Sequence, residues 1–180
     1  MLTDRGVSAK SAALATSVTG GAVTLGRLAA GYLLDRYFVS YVAASFFGGA
    51  GLGIFLLWTG VAGGLTFVAA FLIGLGNGAE GEVLAYLVGR YFGLRAFGVI
   101  YASALSAFTL GGVVGPLLMG FSFDFTGSYS LVMGIFVLAT LTAAGLMTRL
   151  GPYRVWEKAP VAAVVPTPDY HDSLMFEPDR

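Results

Sequence analysis

The chain has 180 residues, 57% of them hydrophobic and only 11% charged, with ten basic side chains balancing ten acidic ones. Its mean hydropathy of +0.81 is far above what a soluble domain of this length needs for a core, so composition indicates an integral membrane protein, all-α by the length of its apolar runs, and the balanced charge gives no reason to expect a nucleic-acid partner. With no cysteine and a single histidine, a disulfide framework, a thiolate metal site and a histidine cluster are excluded, and no cofactor is called for.

The N-terminal segment MLTDRGVSAK carries acid and base without the apolar stretch of a signal peptide, so the first hydrophobic run is expected to span the membrane rather than to be cleaved. A spanning helix needs roughly 20 mostly apolar residues. That length divides the chain into five predicted helices at about 8–34, 39–58, 63–91, 96–123 and 128–148, forming one membrane unit over 1–150. Turn chemistry lies between them: Asp35 and Arg36, then Gly60, Gly63 and Gly64, then the Arg90 to Arg95 cluster, then Asp124 to Ser128. Alternating spans put Arg36, Arg90, Arg95, Arg149, Arg154 and Lys158 on one side and Arg5 and Lys10 on the other. The positive-inside rule makes the first side cytoplasmic, leaving the N-terminus outside. Residues 151–180 are rich in proline and acid without apolar periodicity, and read as a disordered cytoplasmic tail.

In the first predicted helix Arg27 stands eight residues before Asp35, about 12 Å of helix rise toward the bilayer interior. Ser17, Gly20, Thr24 and Gly31 share its face at helical spacing, which suits the lining of a polar cavity. A guanidinium offers a planar fork that holds a carboxylate without losing its charge, so Arg27, with Ser17 and Thr24, is the candidate binding site for a small organic anion. The competing role is structural: Arg27 neutralises Glu80 or Glu82, or snorkels to the interface. Asp35 opposes the macrodipole at the end of its own helix and therefore calls for a partner, either Arg36 or the start of another helix.

No charge occurs from Tyr37 to Ala79, after which Glu80 and Glu82 enter a still apolar helix. A charge at bilayer depth costs on the order of 3 kcal/mol or more, so both are candidate functional groups, here for coupling to protons. Two residues apart, they point about 200° away from one another, and one cavity cannot easily use both. Gly49 with Gly53, Gly74 with Gly78 and Gly111 with Gly115 form small-xxx-small pairs expected to bring helices together. Pro116, next to Gly115, is expected to kink the fourth helix. The spacing Gly26, Gly31, Asp35 recurs as Gly115, Gly120, Asp124. Such a recurrence in oppositely directed helices is what an inverted three-helix repeat produces, and coincidence is the rival in so glycine-rich a chain.

GRLAAGYLLDR (residues 26–36) resembles the G-x3-D-R loop motif of the major facilitator superfamily in its second-half copy. GLGNGAEGEVLAYLVGRYFGLRAFGVIYAS (74–103) with GPLLMGFSFDFTGSY (115–129) is similar to the tenth and eleventh helices of that superfamily's monocarboxylate and oxalate/formate-like branch. The resemblance implies a twelve-helix secondary carrier of which this chain supplies helices eight to twelve, with lipid around it, an N-terminal half and a seventh helix as missing partners, and a bacterial inner membrane as its location. It implies that Gly31, Asp35 and Arg36 belong to a charge latch on the cytoplasmic gate, and that Arg27 binds the substrate carboxylate. Two departures bear on function. Val23 stands where monocarboxylate carriers have an aspartate, which leaves proton coupling to Glu80 or Glu82, and the fourth helix lacks the lysine of the oxalate exchanger, which argues against a dicarboxylate. The expected function is thus alternating-access transport of a small organic anion such as a monocarboxylate. The alternative is a membrane interaction protein that kept the helices without transport, or a truncated carrier without function. An enzyme is not expected, because no nucleophile with a base, metal cluster or phosphate loop is apparent.

Overall fold

A computed structural model describes residues 9–61 and 63–151. These residues form five helices and no strand: α1 (Ala9–Leu34), α2 (Val39–Trp58), α3 (Gly64–Phe92), α4 (Phe97–Thr126) and α5 (Ser130–Thr148). Their ends fall within three residues of the predicted ones, the largest difference being at α4, which continues through Asp124 of the expected turn to Thr126. At the end of α4, Gly127 takes the left-handed conformation with φ 64° and its N–H donates to the Phe123 carbonyl at 2.8 Å, a cap that glycine adopts without Cβ strain. The tail beyond Gly151, together with Arg5, Arg154 and Lys158, lies outside the described residues.

Helices α2 to α5 are each long and apolar enough to cross a membrane, and the chain is a membrane protein. The first helix has the length, at 26 residues, but its serines, threonines, Lys10 and Arg27 make it less apolar than the other four. Its position compensates, since it lies along α3 over much of its length. Three glycines set that contact. A Cβ at Gly26 would run into the Leu75 carbonyl, one at Gly78 into the Val23 carbonyl, and one at Gly74 would stand 2.6 Å from the Thr19 carbonyl oxygen. Thr19 lies beside Ala70 and Arg27 beside Glu82, so α1 and α3 are parallel, and their backbones approach as small residues allow where lipid gives no hydrophobic drive.

The second helix runs antiparallel to α3, with Gly53 against the Ala69 carbonyl and Gly76 against Ala50. It also runs antiparallel to α5, with Gly51 on Leu141 and Trp58 Nε1 donating to Ser130 Oγ at 2.9 Å. The helices therefore line up as α1, α3, α2, α5. By contrast, α4 is seated lightly against α3 and α5, and Ser122 is its one buried residue among those described. Gly111 meets nothing and Gly115 reaches only the edge of Phe136 at 3.9 Å, so this pair does not form the close helix contact that its spacing suggested. The helix runs continuously through Pro116.

Alternating directions gather the C-terminal ends of α1, α3 and α5 at one end of the bundle. A buried cluster of Leu34, Val39, Val42, Ala43 and Val83 lies there, with Tyr91 and Met147 packed on it. The Tyr91 hydroxyl donates to the Gly151 carbonyl and ties α3 to the end of α5. Arg36, Arg90, Arg95 and Arg149 border this end, whereas Lys10 and Asp124 belong to the other.

Candidate functional site

On α1 the small residues Ala15, Ala22 and Ala30 are buried, and Gly26 with them faces α3. The opposite face is open: Ser17, Gly20, Thr24 and Arg27 are all exposed. The helical spacing that grouped them thus corresponds to one uncovered stripe.

Arg27 reaches across the seam to α3, where its Nε lies 3.9 Å from Glu82 Oε1, with side-chain exposures of 65% and 43%. The contact is long, single and made by the edge nitrogen, so the terminal guanidinium fork is not engaged by it. A carboxylate approaching from the open face would meet that fork. Ser17 and Thr24 contribute less than their position suggested. The Ser17 hydroxyl donates to the Ala13 carbonyl at 3.2 Å and that of Thr24 to the Gly20 carbonyl at 3.5 Å. Their protons are committed to the helix backbone, leaving Arg27 as the donor on this stripe.

Glu80, two residues earlier, turns away from Arg27. It lines two cavities among α2, α3, α4 and α5, of about 320 and 580 Å³, both walled by Phe47 and Phe108. The roughly 200° between the two glutamates therefore separates them onto different sides of α3, as the helical angle requires. Around Glu80 the larger cavity contains Asn77 and Thr140, neither of which stood out in the sequence. Asn77 had a legible signal, being a lone amide one turn before Glu80 in an apolar helix, whereas Thr140 had none, because α5 meets this region only through the fold.

At the end of α1 the expected latch residues do not pair with one another. Arg36 places its guanidinium over the Tyr32 ring at 4.4 Å from the centroid, a cation–π contact. Asp35 is exposed and makes no ion pair among the described residues. Gly31 on the same turn has open space around it.

No protein-family model, curated protein or solved structure matches this chain.

Proposed function

We propose that the protein forms part of a secondary carrier of the major facilitator type, in which its helices take the places of helices eight to twelve and carry a small organic anion such as a monocarboxylate by alternating access. The observation that carries this reading is the open stripe of α1 centred on Arg27, whose fork is unengaged while Glu82 supplies a nearby counter-charge. A fixed cation on an uncovered, partly polar helix face within an apolar bundle is suited to a carboxylate, and intramembrane charge in carriers marks the substrate path. In this reading α1 spans the membrane beside α2 to α5, the other half of the carrier covers its open face, and Asp35 finds its latch partner there. The arginine-rich end faces the cytoplasm, in accordance with the positive-inside rule, and the bacterial inner membrane is the corresponding location. A membrane interaction protein without transport is the second reading, supported by the exposed apolar surface of α4.

Uptake separates the two. Vesicles from cells that make the protein should take up labelled small monocarboxylates saturably, and vesicles from cells lacking it should not. Equal uptake in both would favour the interaction protein.

A further inference from the structure

Glu80 occupies surroundings unlike those of any other charged residue described. Four helices meet around it, leaving about 580 Å³ on one side and about 320 Å³ on the other, a size range that holds drug-sized ligands. The walls are chiefly apolar, with Phe47 and Phe108 on both cavities. Three polar side chains border the larger space, which is open to the surroundings: Glu80 and Thr140, both half-buried, and Asn77, which is exposed. None of the three has a hydrogen-bond or ion-pair partner among the described residues. Thr140 differs in this from Thr109 and Thr142, whose hydroxyls donate to the carbonyls four residues back.

The geometry points to a binding site for a lipophilic organic cation, such as a protonated amine or a quaternary onium ion, held by the Glu80 carboxylate between the Phe47 and Phe108 rings. An unpaired carboxylate in apolar surroundings is costly unless a counter-charge joins it. A hard inorganic cation takes about six or more oxygen ligands; the side chains here offer those of Glu80, Asn77 and Thr140, so water would have to complete the shell against apolar walls. An organic cation needs only one counter-charge. Its apolar body fills the remaining walls, and aromatic faces attract it further. Asn77 and Thr140 supply acceptors for an N–H where the ligand has one. The small residues Gly111 and Gly112 of α4 make the room. This site lies within the chain itself and on the side of α3 away from Arg27, so it holds independently of the anion-carrier reading.

The test is equilibrium binding of labelled tetraphenylphosphonium to the purified full chain in lipid nanodiscs. The site predicts saturable binding near one per chain, a loss of about tenfold or more in affinity for Glu80→Gln, and parent-like binding for Glu82→Gln. Gly112→Leu has open space at its Cβ position; it should fold with unchanged helix content yet weaken binding by narrowing the cavity. Tetraphenylborate, of similar shape and opposite charge, should show no binding that depends on Glu80. Binding that is absent or unsaturable in the folded parent, or equal in parent and Glu80→Gln, would overturn the proposal and leave Glu80 satisfied by a proton alone.

Discussion

Arg27 and Glu82 show how little an ion pair contributes when both partners stay largely exposed and touch through one nitrogen at 3.9 Å. Pairs of this kind contribute about 1 kcal/mol or less. Glu82→Gln should therefore leave the thermal unfolding of the purified protein within about 1 kcal/mol of the parent; a clearly larger loss would assign Arg27 the structural role instead of a place in the substrate path. The angular separation of Glu80 from Glu82 was legible in the sequence, because helix geometry alone dictates it. That Glu82 and not Glu80 meets Arg27 was not legible, since it depends on the register of α1 against α3. Nor was the engagement of the Ser17 and Thr24 hydroxyls with their own backbone, as the same polar stripe would arise whether those protons face inward or outward.

The helices themselves were visible as apolar runs separated by glycine and charge, with ends recovered to within three residues. Which glycines join helices was not, because the small-xxx-small spacing is the same in all three pairs. Gly78 abuts the Val23 carbonyl, a backbone atom that cannot rotate aside, whereas Gly111 has open space. Gly78→Ala should force α1 from α3 and destabilise the protein by roughly 1–3 kcal/mol, in the range of overpacking. Gly111→Ala should be neutral or stabilising by up to about 1 kcal/mol through helix propensity. Thermal unfolding of the two variants in one detergent decides the matter: equal losses would mean that α4 is as tightly packed as α3. The light seating of α4 is also what opens the space around Glu80, so packing and the cation site are linked at this level.

For the molecule as a whole, the parallel pairing of α1 with α3 and the antiparallel pairing of α2 with both α3 and α5 give every turn a defined end of the bundle. A cysteine at exposed Leu94 in the α3–α4 turn should be shielded from an impermeant reagent in intact cells, and one at Ser128 in the α4–α5 turn should label; the reverse pattern would turn the arginine-rich end outward and contradict the proposed orientation. The arrangement also leaves Arg27 on an open face, and from this the carrier reading makes its most exposed commitment. Lysine retains the charge at this position but not the planar fork. The decisive measurement is the initial rate of labelled monocarboxylate uptake by vesicles from cells carrying Arg27→Lys at the native locus, with abundance of the protein measured alongside. The account predicts a fall of about tenfold or more at unchanged abundance; uptake equal to that of the parent would contradict it.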